Sequence, residues 1–197
     1  FFAMLPIAIA AVPFGMLLGS EAIRQGLSTA EVSLMSMIVF AGSAQFLTVS
    51  IWTHPAPWAS LALAAFLINL RHVLMSASFS SKIKNFTPIQ KAFVAFLLAD
   101  EIWALSERRA LAGPVTAGFY FGSAFGLYVI WLASTIAGTV LGTLLPPLET
   151  IGVDFVFAAL FISLVTGFAK SWRALPVIGA SLAASLIVKS LFGGTVF

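Results

Sequence analysis

The stretch WASLALAAFLINLRHVLMSASFS, residues 58–80, decides how the chain is read. It is long and apolar enough to cross a bilayer core, which takes about 20 mostly apolar residues. Yet Asn69, Arg71 and His72 sit near its middle, flanked by Leu67, Leu70, Val73 and Leu74. An ionisable group at that depth costs at least about 2.5 to 3.5 kcal/mol on insertion scales, so one that is present faces a cavity or a partner. The segment therefore predicts a membrane helix with a buried polar function.

The rest of the chain fits that frame. Hydrophobic residues make up 60% of it, charged residues 9%, and the mean hydropathy is +1.07, which excludes a water-soluble core. The expected fold is an all-α integral membrane protein, a polytopic bundle of about six or seven hydrophobic helices, with residues 1–197 as one transmembrane domain. The net charge of +3 is spread through short connections and forms no basic stripe, so a nucleic-acid partner is not expected. With no cysteine, disulfides, thiolate metal sites and Cys nucleophiles are excluded by count. His54 and His72 have no second ligand at metal spacing, and no nucleophile elbow, metalloprotease motif or phosphate loop is present. Neither a metal, a cofactor nor catalysis is expected.

Outward from residues 58–80, segment one (Phe1 to about Ser20) is apolar, with Pro13 and Gly15 as candidate helix breaks. Segment two (about Val32 to Trp52) is interrupted by Ala41-Gly42-Ser43-Ala44-Gln45. Small residues there read as close packing, and a polar Gln beside Gly42 and Ser43 also allows a locally unwound helix facing a cavity. Pro88 to Ser106 has a short apolar run followed by Asp100 and Glu101. Val115 to Leu145 is too long for one upright helix and too short for two full ones, and Gly118, Gly122 and Gly126 form a small-residue face on it. Phe155 to Ala169 and Ala174 to about Phe192 complete the set, with Trp172 as an interface anchor between them. The chain opens at Phe1 and stops at Phe197 in a manner expected of trimmed ends.

Basic residues conflict with the simplest topology. Lys82, Lys84 and Lys91 lie before the Pro88–Ser106 segment, and Arg108 and Arg109 after it. The positive-inside rule places basic connections on the cytoplasmic side, so an ordinary crossing by that segment breaks the rule. A re-entrant or broken segment obeys it.

Two polar clusters remain: Asn69, Arg71 and His72, and Asp100 with Glu101. One reading makes Arg71 and an acid a structural pair that fixes helix register. The other makes them the lining of a transport pathway, with Arg71 or a half-helix N-terminus holding a carboxylate and an acid holding an ammonium. Ser43, Gly42, Gln45 and Asn69 are then neutral hydrogen-bonding groups for the substrate. Asp100, Glu101 and His72 are the proton-coupling candidates.

Four elements in one order, Pro13-Phe14-Gly15, Ala41-Gly42-Ser43-Ala44-Gln45-Phe46, Asn69-Leu70-Arg71-His72 and Asp100-Glu101, make the chain resemble the AzlC/YgaZ family of branched-chain amino acid permease large subunits. The resemblance implies export of valine, isoleucine and leucine, with methionine as a further candidate, across the bacterial inner membrane; moving a zwitterion outward against its gradient requires coupling, most simply to proton entry. It also implies a small AzlD/YgaH-like membrane subunit as partner. A carrier or channel for another small organic solute or anion, and a non-transporting complex subunit, are the alternatives.

Overall fold

The computed structural model describes residues 4–142 and 175–192, and all of its regular structure is α-helical. In chain order the helices are α1 (Leu5–Arg24), α2 (Thr29–Ile38), α3 (Gly42–Ser50), α4 (Trp58–Asn69), α5 (Arg71–Ser80), α6 (Pro88–Phe96), α7 (Asp100–Ala112), α8 (Ala117–Leu141) and α9 (Leu175–Phe192). The chain divides into a unit of residues 1–145 and one of residues 146–197. In the second, α9 is an 18-residue apolar helix opening on Leu175-Pro176. The expected segment Phe155–Ala169, the anchor Trp172 and the basic pair Lys170 and Arg173 lie outside the described residues.

Among the described residues, three helices are long and apolar enough to cross a membrane: α1, the 23-residue run Trp58–Ser80 that joins α4 to α5, and α8. At about 1.5 Å per residue the α4–α5 run spans roughly 35 Å, enough for a hydrocarbon core of about 30 Å. Its continuity is interrupted at Leu70, where Leu70 N–H donates to Leu67 O (3.3 Å) and Val73 N–H to Leu70 O (3.0 Å), both three residues back.

α1 and α8 run in the same direction and pack backbone to backbone. Ser20 Oγ donates to the Gly142 carbonyl at 3.3 Å, and a Cβ on Gly138 would lie 2.0 Å from the Met16 carbonyl oxygen. At Gly19 a Cβ would lie 2.1 Å from the Thr135 carbonyl oxygen. This is the small-residue helix seam that lipid-embedded packing favours. It corrects two expectations. Gly118, the first residue of the expected small-residue face, has open space around it, and the close contacts of α8 with α1 fall at Gly138 and at Gly142 just past its end. α1 runs unbroken through Pro13 and Gly15: a membrane helix tolerates the N–H lost at a proline, and Gly15 serves to admit Ser134 of α8.

The remaining helices of this unit form two hairpins, each entering and leaving on one side. Both first halves open with a capping box, Ser28 with Glu31 and Thr87 with Gln90. α2 and α3 are separated by Val39–Ala41, and Gln45 Nε2 donates to Ser36 Oγ at 2.9 Å across that tip. At the hairpin's base, Gly26 lies against the His54 ring, whose Nε2 would be 3.1 Å from a Cβ on Gly26. Segment two is therefore a re-entrant hairpin where a crossing was expected.

α6 and α7 repeat the device from the opposite side. α7 runs parallel to α5: Arg71 pairs with Asp100, Trp103 Nε1 donates to Ser78 Oγ at 2.9 Å, and Lys82 Nζ reaches Glu107 Oε1 at 2.8 Å. α6 leaves the Lys82 end, the chain turns at Leu97–Ala99, and α7 returns to that end, so the segment expected to stop at Ser106 continues to Ala112. Lys82, Lys84, Arg108 and Arg109 thus share one end of the unit, and the conflict with the positive-inside rule disappears. α8 starts at the same end, with Tyr120 Oη donating to Val94 O at 3.0 Å and the Phe86 and Phe121 rings 6.2 Å apart.

Because the chain is free of cysteine, single cysteines report sidedness directly. In sealed vesicles, Lys84→Cys and Arg108→Cys should react with an impermeant thiol reagent from the same side, and Thr53→Cys from the other. Labelling of Arg108→Cys together with Thr53→Cys would mean that α6–α7 crosses the membrane.

Candidate functional site

The tips of the two opposed hairpins meet at one side chain, and the local sequence explains how. The interruption at Leu70 places Arg71 at the start of α5, near the middle of the α4–α5 run, with its guanidinium reaching both tips. Its Nη1 lies 2.6 Å from Asp100 Oδ2, at the first residue of α7. Its Nη2 donates to Ser43 Oγ, at the second residue of α3. Both charged side chains are 29% exposed, so the pair is partly shielded and retains an open face. Arginine suits this position because its planar fork directs several donors at once, whereas a lysine ammonium is a single point.

Each tip also presents a helix N-terminus. α3 and α7 begin after Ala41 and Ala99, neither of which supplies a side-chain cap. Their first N–H groups and the positive ends of their dipoles point to the middle of the unit. Asp100 and Glu101 fall in the first turn of α7, where negative charge is stabilised. The helix break immediately before them distinguishes their roles: Asp100 takes Arg71, while Glu101, half-buried beside it, makes no ion pair with a described residue.

His72 is held by the same irregularity. With the Val73 N–H bonded to Leu70, the Asn69 carbonyl is free to face His72 Nδ1 at 3.2 Å. His72 Nε2 faces the Leu98 carbonyl, in the α6–α7 tip, at 3.1 Å. A neutral imidazole has one N–H and serves one of these acceptors; an imidazolium serves both. Two further polar atoms in the cluster, Asn69 Oδ1 and Arg71 Nε, are buried without a hydrogen-bond partner. Buried polar groups normally have partners, so this acceptor and this donor, both beside the ion pair, are exceptions to the rule.

Gln45 occupies a different position from the one expected. It is 1% exposed, and both ends of its amide are engaged: Oε1 accepts from Trp131 Nε1 at 2.9 Å and Nε2 donates to Ser36 Oγ at 2.9 Å. It fastens the α2–α3 tip to α8 and does not face the ion pair. Gly42 belongs to the same fastening, since a Cβ there would lie 3.0 Å from the Trp131 ring. Ser36 and Trp131 were not among the expected site residues. An indole N–H in the middle of an apolar helix needs a buried acceptor, and that need was the available signal. Among the described residues, no cluster of three His, Cys, Asp or Glu side chains is arranged to hold a metal.

These features define a polytopic membrane protein in which two opposed re-entrant hairpins close on a charge pair at mid-depth. The family model described as AzlC protein matches residues 6–145, and the chain belongs to that family. All four motif elements fall within the matched region. Inner membrane protein YgaZ of Escherichia coli (strain K12) is 28% identical over 200 residues, covering 98% of this chain and 79% of that protein. Branched-chain amino acid transport protein AzlC of Bacillus subtilis (strain 168) is 28% identical over 180 residues, covering 87% and 67%. An uncharacterized membrane protein of Archaeoglobus fulgidus is 32% identical over 143 residues, covering 71% of this chain and 60% of its own length. The chain thus spans about three fifths of the archaeal relative. No solved structure matches.

Trp131→Phe keeps an aromatic side chain but removes the indole N–H and leaves Gln45 Oε1 buried without its donor. An unsatisfied buried group of this kind costs about 1 to 3 kcal/mol. Unfolding of the purified variant in detergent should show a loss of that size, and Gln45→Leu combined with Trp131→Phe should recover part of it.

Proposed function

We infer that this chain is the transport subunit of a carrier that exports branched-chain amino acids across the inner membrane in exchange for protons. Valine, isoleucine and leucine are the primary substrates and methionine a further one. A small AzlD/YgaH-like membrane protein is its partner. The observation that carries the reading is the single guanidinium shared between the tips of two hairpins that enter from opposite sides.

A zwitterion matches this arrangement in charge and in hydrogen bonding. Its carboxylate suits Arg71, Ser43 and the N-terminus of α3; its ammonium suits Asp100 and the Asn69 Oδ1 acceptor. Insertion exchanges one ion pair for two and leaves no net charge uncompensated, which is the condition for holding charges at low dielectric. Arg71 Nε supplies one more donor to the carboxylate. Selection among the apolar side chains is necessarily loose, because one methylene changes binding by only about 1 to 3 kcal/mol. The names of the Escherichia and Bacillus relatives, an inner membrane protein and a branched-chain amino acid transport protein, support the cargo and the location.

Coupling follows from the same groups. Protonation of Asp100 removes the partner of the substrate ammonium and weakens its hold. Proton uptake by His72 supplies the second N–H for its two carbonyl acceptors and draws the α6–α7 tip onto the crossing helix. The hairpins are the moving parts: withdrawal of one tip opens the charge pair to one side while the other still covers it, the discontinuous-helix form of alternating access.

The test is export of labelled valine from vesicles holding the full-length chain and its partner under an imposed proton gradient. Asp100→Asn should abolish gradient-driven release while the complex still assembles. Arg71→Lys should lose at least about tenfold in rate, since one ammonium cannot reproduce the two-pronged guanidinium contact. Wild-type release by an assembled Arg71→Gln variant would reduce the pair to a structural role, and no valine release from wild-type vesicles would overturn the cargo.

A further inference from the structure

A cavity lies between α5 and α6, and neither Arg71 nor Asp100 lines it. A cavity of about 250 Å³ opens there, with Phe79, Ile83, Val94 and Leu98 as its buried walls and Ser80 and Lys91 at its exposed rim. Its contents are ordered along the helices. Lys91, Ser80 and Ile83 lie toward the basic end of the unit, and Leu98 toward the hairpin tip. The seven steps from Lys91 to Leu98 correspond to about 10 Å at the rise of a helix, so the groove has a cationic head and an apolar body roughly eight methylenes long.

The charge around the head is one-sided. Between Ser81 and Lys91 the chain carries three lysines and no acid. Lys82 is neutralised by Glu107 at 2.8 Å. Lys84 and Lys91 have no acidic partner among the described residues, and the Lys91 ammonium reaches only the Lys84 carbonyl at 3.4 Å. An amino acid zwitterion is a poor fit, because no acid lines the cavity to take its ammonium. An anion with a long apolar tail fits. The same two helices expose Val73, Leu74, Ile89 and Phe93, so the groove opens on the apolar outer surface, and its lysine end is the end the positive-inside rule assigns to the cytoplasmic leaflet, where anionic lipids concentrate.

We propose that the α5–α6 groove binds an anionic phospholipid, its phosphate on Lys91 and one acyl chain against Phe79, Ile83, Val94 and Leu98. Leu98 gives the site a consequence: its side chain forms the inner wall of the groove and its carbonyl faces His72 Nε2 at 3.1 Å. An acyl chain in the groove therefore packs against the α6–α7 tip and steadies it. The assignment is independent of the cargo of the charge pair.

The probe is phosphatidylglycerol against phosphatidylcholine of identical acyl composition, scored by native mass spectrometry of the full-length chain released from mixed micelles. Wild type should retain phosphatidylglycerol in preference. Lys91→Gln should cut that retention by about fivefold, the weight of one lysine near a lipid surface. Ala95→Phe, which places a ring at the exposed rim without disturbing the buried walls, should reduce retention of both lipids while helicity is unchanged. Equal retention of the two lipids by wild type, or a preference that survives both variants, would overturn the proposal. So would displacement of the lipid by inorganic phosphate alone, which would mark a site for a free anion, or by valine, which would make the groove part of the substrate route.

Discussion

A guanidinium placed at the midpoint of a membrane-crossing helix must be compensated, and the first unit of the protein is arranged around that requirement. Arg71 lies near the middle of a 23-residue apolar run, so its charge needs partners at that depth. They arrive on two hairpins that stop halfway, each ending in a helix break that exposes N–H groups and a small or acidic side chain: Ser43 on one, Asp100 on the other. Non-helical backbone at this depth is tolerated only where it is buried in protein or lines a polar cavity. The breaks and the charge pair thus require one another. Without Arg71, Asp100 is an uncompensated acid in the interior; without the breaks, neither Asp100 nor Ser43 is at the right height.

The scaffold that holds the hairpins in register is made from different chemistry. α1 and α8 are joined by glycine-to-backbone contacts at Gly19 and Gly138, and α8 reaches the α2–α3 tip through the Trp131–Gln45–Ser36 chain. On the other side, Tyr120 of α8 holds the Val94 carbonyl of α6. One long helix therefore touches both hairpins, and the two are matched in design. A capping box opens each first half, three residues form each break, and the second half leads back to its own side. Opposed, similar halves around a common centre are the arrangement from which carriers build alternating exposure.

Much of this was legible before the structure. Hydropathy and composition defined a helical membrane protein, and the depth of Arg71 in its segment marked the polar centre. Two adjacent acids after a short apolar run, with lysines on one flank and arginines on the other, left a re-entrant α6–α7 and an ordinary crossing both open, and the structure decides for the first. What the sequence concealed is equally physical. Pro13 and Gly15 carry a break signal, but a neighbouring helix that packs on Gly15 stabilises the uninterrupted form. Gln45 is as polar as Asn69, and nothing in its spacing tells that its amide is consumed by an indole 86 positions away. Segment two has the length of a crossing, and the Gln45–Ser36 bond across its tip and the approach of His54 to Gly26 reveal that it turns back.

The central claim, that the two opposed tips meet at Arg71, is most directly tested by the pair Ser43→Cys and Asp100→Cys in an otherwise cysteine-free chain. Both positions contact the same guanidinium, and a thiolate at either can still accept from it. The account predicts rapid intramolecular cross-linking by a short bis-maleimide in native membranes, and none in either single variant. A folded double variant that reacts with monofunctional reagents at both sites yet forms no intramolecular link would show that the tips are apart and would contradict the account.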